Sequence, residues 1–446
     1  MTSPTRRPAA ALILVLWAIA VLALLAGGVS FTLRQDLAIA NIERDRLVSH
    51  CLARAGVERA IASLMDDTGS TDTLTDYWAD DEPVFKEIEL TGGTFSVLYG
   101  DDAVTPQTRY GATDESAKLN ANVATYTQLM DLPNMTGSIA AAIIDWRDNN
   151  EEPELEGVEG AYYAGQSHPY EIRNGPLRTL RELLLVRGVT PELLYGEDLN
   201  TNGLLDPGEN DGDLSAPPDN ADGRLDRGWF AYLTVYSYEC NTDGTGQQRL
   251  NLKTADAGTL SGRLMLESWA AESIVKAREQ RQFEHLADLL NVTRDQSIQR
   301  GPVDADFYTR SDSEKDRPVT ETIFEQIVDR LTLSDDQTLP GRININTAPQ
   351  AVLATLPEVD EDLAAAIVRQ RDAASGFSSI GQLLKVSGMN RDKFAELESS
   401  VTVRSNVFRI LSYGHAVSGL ATATIECVVE RRQDEPRVLY WLESTP

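Results

Sequence analysis

Asp198, Asn200, Asn202, Asp206 and Glu209 occupy positions 1, 3, 5, 9 and 12 of a twelve-residue stretch, with Gly203 at position 6 and the carbonyl of Leu204 at position 7. Oxygen donors in that alternation, wound about a glycine that permits a sharp turn, are the donor set a calcium ion requires. An echo follows, in which Asn202–Gly208 is matched by Asp222–Gly228. There Asn220, Asp222 and Asp226 keep positions 3, 5 and 9, while Pro218 and Trp229 stand at positions 1 and 12. A second calcium site is expected there only with help from Asp211, Asp213 or Asp219. From Pro191 through Asp226 there are ten acidic residues and one basic one, so the segment repels itself unless a cation is bound.

The remaining reactive residue types are scattered. The chain has no G-x-S-x-G elbow, phosphate-binding P-loop, H-E-x-x-H or paired C-x-x-C motif. Of the four histidines, His168 precedes a proline in a loop, and His50 and Cys51 project from different sides of one helical pattern. Trp146 and Arg147, within Asp145-Trp146-Arg147-Asp148, read as core and ion-pair residues. Cys51, Cys240 and Cys427 allow three pairings in an oxidising compartment, and Cys240–Cys427 is favoured because both fall on expected strands. Enzymatic function is not expected; an anchored enzyme with an unrecognised site is the weakest alternative.

The elements around the acidic segment repeat. Residues 118–148 align without gaps to 342–372 with 12 of 31 positions identical, including Asn120/Asn344, Asn122/Asn346 and Leu132-Pro133/Leu356-Pro357. The match continues from 177–189 to 377–389, after an insertion of 24 residues in the first copy. A weaker third copy spans 249–278 and 283–292. Such periodicity implies one supersecondary unit used three times. Residues 342–360, RININTAPQAVLATLPEVD, resemble a helix-hairpin-helix unit, a motif best known for gripping DNA. DNA-binding versions place glycines after the Leu-Pro so that backbone amides reach a phosphate. Here that stretch carries Glu358, Asp360 and Glu361, and the chain as a whole has a net charge of −29. Binding a phosphate backbone depends on Lys and Arg displacing counterions, so no nucleic-acid partner is expected.

The N-terminus supplies an anchor. Residues 9–29 are uncharged and long enough to cross a bilayer as a helix. Arg6 and Arg7 precede them, which keeps the N-terminus cytoplasmic and exports the bulk of the chain. The helical pattern then continues from Ser30 to Ala55, with Leu33, Leu37, Ala40, Leu47, Cys51 and Ala55 on one stripe. One helix is therefore expected to leave the membrane and become the spine of a folded domain.

This arrangement resembles the N-terminal helix of type IV pilins and pseudopilins. The resemblance implies cleavage by a prepilin peptidase between Ala9 and Ala10, where the family usually has Gly before the cut. The fifth mature residue, Glu in most members, is Leu14. Together with the ININTAP stretch, the Asp145–Asp148 block and Leu185–Leu193, this is similar to the K-type minor pseudopilin of type II secretion (the general secretion pathway protein K family). That subunit characteristically lacks the Glu and is placed at the filament tip. An apolar residue there fits a subunit with no neighbour above it, since an unpaired carboxylate in hydrocarbon is costly.

The resemblance implies an α+β fold: a long N-terminal transmembrane and spine helix, a pilin-like antiparallel sheet, and a large inserted α-helical domain of helix-hairpin-helix (SAM-like) repeats. The expected order is a leader peptide (1–9), a transmembrane helix (10–30), the periplasmic spine (31–66) and a first sheet hairpin (85–112). The first helix-hairpin-helix unit with its insertion (113–197) follows, then the acidic calcium loop (198–228), a strand (229–245) and a second, degenerate unit (246–295). A linker with one helix (296–340), a third unit (341–400) and C-terminal strands (401–446) complete it. The implied function is initiating or capping a pseudopilus that supports export across the outer membrane. Implied partners are other minor pseudopilins, the inner-membrane platform, prepilin peptidase and the membrane, with the chain a single-pass inner-membrane protein whose bulk is periplasmic. The alternative is a single-pass membrane DNA receptor of competence type.

Overall fold

A computed structural model describes residues 8–100, 108–215, 218–294, 317–419, 421–432 and 435–444. Its first element is a single helix, Pro8–Asp66, of 59 residues. No proline interrupts it, and its apolar first half lies entirely outside the protein core. The expected stripe is not the buried face: Leu33, Leu37, Leu47 and Cys51 are exposed. The face that packs is made by Ser49, Leu52, Ala53, Val57, Ala60 and Leu64. Small residues won that face because the helix lies directly on a strand. An added Cβ at Gly56 would stand 2.2 Å from Ser412 Oγ, and one at Gly414 would stand 2.0 Å from the Ser49 carbonyl.

The sheet under the helix is antiparallel, in the order Ile88–Leu90, Gly93–Val97, Val407–Ala416, Thr422–Glu430, Arg437–Ser444. Thr113–Asp114 adds a short strand against Phe408 and Arg409. Alternation along the central strand turns Phe408 and Ile410 toward the helix, where they join Phe95, Val97, Ile425 and Cys427 in one apolar core. Cys427 is thus buried beneath the helix, whereas Cys240 lies on a separate strand of the helical body. All three cysteines are free thiols, which corrects the expected Cys240–Cys427 pairing.

Between Asp114 and Val407 the chain builds a second body with its own core. Three units of like construction make it up. Each opens with a two-residue strand and closes with another that pairs to it in parallel: Leu119–Asn120 with Leu233–Thr234, Leu250–Asn251 with Leu331–Thr332, and Ile343–Asn344 with Val401–Thr402. In each, the closing threonine's hydroxyl accepts the amide two residues on, from Tyr236, Ser334 and Arg404. An arginine at matching places, Arg147, Arg278 and Arg371, donates to carbonyls of the opening turn.

This construction revises the sequence boundaries. Residues 229–245 are not one strand: a 3-10 turn, Trp229–Ala231, leads to the closing strand of the first unit, and Tyr238–Cys240 pairs instead with Thr338–Pro340. The helix Glu321–Ile327 and the strand after it belong to the second unit rather than to a linker. Residues 295–316 of that proposed linker lie outside the described residues.

The two bodies meet through buried polar groups. Asp114 accepts from Ser405 Oγ (2.6 Å), Thr347 Oγ1 (2.5 Å) and Asn344 Nδ2 (3.1 Å). Beside it, Arg409 pairs with Glu115 (2.8 Å) and with Glu426. Burial opposes the charge on Glu115, but Arg409 and Lys118 outweigh it and hold its carboxyl down to about 2.

Candidate functional site

The acidic segment leaves the first unit after the helix Pro191–Tyr195 and returns at Trp229. Its ends are pinned together: Gly196 bridges to Arg227, and the Glu197 amide donates to the Asp226 carbonyl. Between them the loop winds as its spacing predicts. Asp198 accepts the amides of Asn202 (2.9 Å) and Gly203 (2.8 Å), and Gly203 takes the positive φ of +70° that the turn demands. Asn200 Oδ1 accepts the Asn202 amide, Asn202 Oδ1 accepts the Leu204 amide, and Glu209 Oε2 accepts the Asp206 amide. Asp198, Asn202 and Glu209 are buried.

Burial raises the Asp198 carboxyl above the ordinary range, against the opposing pull of Arg227. Glu209 is raised by burial and by the charges of Asp198 and Asp206. These are carboxylates short of positive charge, and every side-chain ligand is an oxygen, so the donor set fits a hard divalent cation. The carboxylates of Asp198, Asp206 and Glu209 do not converge within 4.8 Å of one another, as two other triplets among the described residues do. The amide groups of Asn200 and Asn202 stand against Asp206 instead, at 2.7 and 2.9 Å. Calcium binding would require those amides to turn their oxygens inward.

The echo repeats this pattern with two exchanges. Asn220 Oδ1 accepts the Asp222 amide, Asp222 Oδ1 accepts the Arg224 amide, and Asn220 Nδ2 donates to Asp226. The part played by Asp198 toward Gly203 is taken by Asn210, which accepts the Gly223 amide at 2.9 Å. The part of Glu209 is taken by Glu197, which accepts the amides of Asp226 and Asn220. Neither residue was foreseen from the sequence. Asp219 and Asp211 are occupied in turns of their own with Gly212 and Ser215. The signal lay in two adjacent pairs, Glu197-Asp198 and Glu209-Asn210, each offering one side chain to each loop.

In the hairpins, the position following Leu-Pro holds a non-glycine residue in the left-handed region in both strong copies, Asn134 (φ 56°) and Glu358 (φ 59°). The weaker copy has Met265 (φ 57°) at the matching place. The paired asparagines face inward: Asn122 and Asn346 bind the backbone of Leu177 and Phe377 across the unit. In the third hairpin, Asp360 caps its helix by accepting the Leu363 amide, with Glu361 and Asp362 in the first turn. Carboxylates already hold the helix N-terminus that an anion would seek.

At the membrane end, Leu14 lies on the exposed apolar part of the helix. Ala9 and Ala10 fall within the first two turns of that helix, and their side chains are not described.

Residues 104–195 match the family model described as type II secretion system (T2SS), protein K, and residues 341–402 match the helix-hairpin-helix motif. Type II secretion system protein K from Klebsiella pneumoniae is 33% identical over 84 residues, 18% of this chain and 26% of that protein. An endonuclease/exonuclease/phosphatase family domain-containing protein 1 from Danio rerio is 39% identical over 64 residues, 14% of this chain and 12% of that protein. The chain therefore aligns to well under two thirds of either relative. A chain of the solved GspK–GspI–GspJ complex from the enterotoxigenic Escherichia coli type 2 secretion system aligns over 93% of this chain and 99% of its own. Its identity is 14% and its TM-score 0.44.

Proposed function

We propose, from the premise that this is a type II secretion protein K-like chain, that it is a minor pseudopilin placed at the tip of a periplasmic pseudopilus. It initiates or caps assembly there and acts as a structural component rather than an enzyme. The observation that carries this reading is the single helix Pro8–Asp66, apolar and exposed for its first half and packed on an antiparallel sheet by its second. Leu33, Leu37 and Leu47 remain uncovered beyond the apolar span, which suits packing against the helices of other minor pseudopilins. Arg6 and Arg7 favour a cytoplasmic N-terminus in the inner membrane, and Leu14 suits a subunit with none above it.

The acidic loop is read as a calcium site formed by Asp198, Asn200, Asn202, Leu204, Asp206 and Glu209. The echo is a second site in which Asn220, Asp222 and Asp226 are joined by Glu197 and Asn210. Calcium bound there would fix the first unit against the sheet, because Arg227 and Asn202 border the cleft that Arg409 also lines. The hairpins serve packing and partner binding rather than nucleic acid, a reading supported by the acidic third hairpin.

Purification of the full chain from native membranes tests the assignment. Other pseudopilins and the inner-membrane platform should accompany it, and N-terminal sequencing should begin at Ala10. An intact Met1, or recovery without any pseudopilin, overturns the reading.

A further inference from the structure

The outward side of the spine helix is as ordered as the side that packs. Leu33, Leu37, Ala40, Arg44, Leu47 and Cys51 recur at spacings that alternate between four and three, which is the seam of a two-stranded coiled coil. This seam faces away from the sheet. Leu47 and Ser49 stand about 200° apart around the helix axis, and Ser49 belongs to the side that packs. Leu33, Leu37 and Leu47 are 55%, 64% and 64% exposed, and Ala40 and Cys51 are exposed with them. The next two seam positions, Arg54 and Glu58, pair with one another at 3.8 Å and end the apolar run.

Within that run Arg44 is the single charge. Its Nε and Nη2 both donate to one oxygen of Asp45, at 3.2 and 2.9 Å, and the arginine side chain stays 66% exposed. Asp45 itself is buried on the other side of the helix, and Glu43 pairs with Arg46 at 3.2 Å away from the seam. A helix laid along the leucines would cover Arg44. Covering it without a further anion would strand a cation among apolar side chains, which is costly. A carboxylate at the facing position would instead meet the guanidinium in a charge-assisted pair. In a heptad written from Leu37 as position a, Arg44 is the next a, and one polar residue at an a position fixes which partner and which register are accepted. A second copy of this chain, parallel and in register, would set Arg44 against Arg44, so the seam disfavours self-pairing.

We infer that the seam from Leu33 to Cys51 docks one parallel helix of another minor pseudopilin, and that Arg44 selects that helix by pairing with a carboxylate facing it. This rests on the minor pseudopilin reading and adds the chemistry of the partner: a helix apolar at the same heptad positions, with Asp or Glu opposite Arg44. Because both helices leave one membrane, the pair also sets their relative height. Arg44 stands about 22 Å along the helix from the end of the uncharged span at Val29.

Cys51, one heptad beyond Arg44 on the same seam, supplies the probe. The full chain carrying Cys240→Ser is labelled at Cys51 with benzophenone maleimide in native membranes, irradiated, and the linked peptide is sequenced; Cys427 is buried and stays unlabelled. The adduct should be a pseudopilin helix with Asp or Glu about seven residues before the linked position. Arg44→Glu should cut the adduct at least tenfold, whereas Arg46→Glu, an equal charge change off the seam, should leave it unchanged. Arg44→Gln should cut it severalfold, and it decides the matter if Arg44→Glu does not fold. A linked helix without that carboxylate, an adduct with a second copy of this chain, or Arg44 variants that link like the parent overturn the inference. Pseudopilins that co-purify while Cys51 links to none of them overturn it alone; recovery with no pseudopilin overturns the underlying reading as well.

Discussion

At the scale of single residues, the chain is governed by where its carboxylates find positive charge. Glu398 finds little: its buried side chain accepts the amides of Leu286 and Ala287, and burial pushes its carboxyl up to about 8 from 4.5. Below 4.5 it is neutral in both folded and unfolded chains and contributes nothing to pH dependence. Between 4.5 and 8 the unfolded chain ionises while the fold retains its proton, so stability falls as pH rises through that window. Glu398→Gln keeps an acceptor for only one of the two backbone amides and should melt below the parent at pH 5, but it cannot ionise, so by circular dichroism its deficit should shrink as pH rises to 9. The acidic loop gives a second residue-scale expectation. Calcium should raise the melting temperature of the parent by mass action, and Glu209→Ala should lose the share of that rise owed to the first loop while leaving the share owed to the echo. Asp226→Ala, in the echo, should lose less. The ligand spacing of Asp198 to Glu209 was legible because it is local in sequence. Glu197 and Asn210 were not, because their roles arise only when two loops lie side by side.

At the scale of elements, the spine helix and the central strand approach until glycine is the only residue that fits. Gly414→Val would place carbon where the Ser49 carbonyl stands, and the resulting overpacking should cost about 1–3 kcal/mol. A lowered denaturation midpoint in urea would register it, while Gly262→Ala, in open space on the helix Ala257–Leu264, should cost nothing. Sequence periodicity locates this helix but not its buried face: residues 11–44 are exposed on every side, Leu47 and Cys51 also face outward, and the contact is made by Ser49, Leu52, Ala53, Gly56, Val57, Ala60 and Leu64. Size at a close crossing outranks hydrophobicity, and periodicity cannot report it. The hairpins are the opposite case. Their acidic turns were plain in sequence, and the structure adds Asp360 as a helix cap. The full chain should therefore show no duplex binding in a mobility shift at physiological salt; micromolar, salt-sensitive binding would favour the DNA-receptor alternative.

At the scale of the molecule, the three units were visible as repeats, but their ends were not. A two-residue strand such as Leu331–Thr332 carries too little pattern to separate from its surroundings, so sequence alone places the closing segments in a linker or a longer strand. Only the parallel pairing to Leu250–Asn251, distant in sequence, reveals the boundary. The same logic holds for the whole insertion. The chain enters it through Thr113–Asp114 and leaves it just before Val407, and Phe408 pairs directly with Asp114. Entry and exit are therefore neighbours on two paired strands, tied by the Asp114–Ser405 bond. In mechanical terms the helical body is a pendant rather than a link. Tension drawn along the spine helix would run into the sheet through Gly56, Ser412 and Gly414 and on through the C-terminal strands, while the body of three units hangs beside that load path.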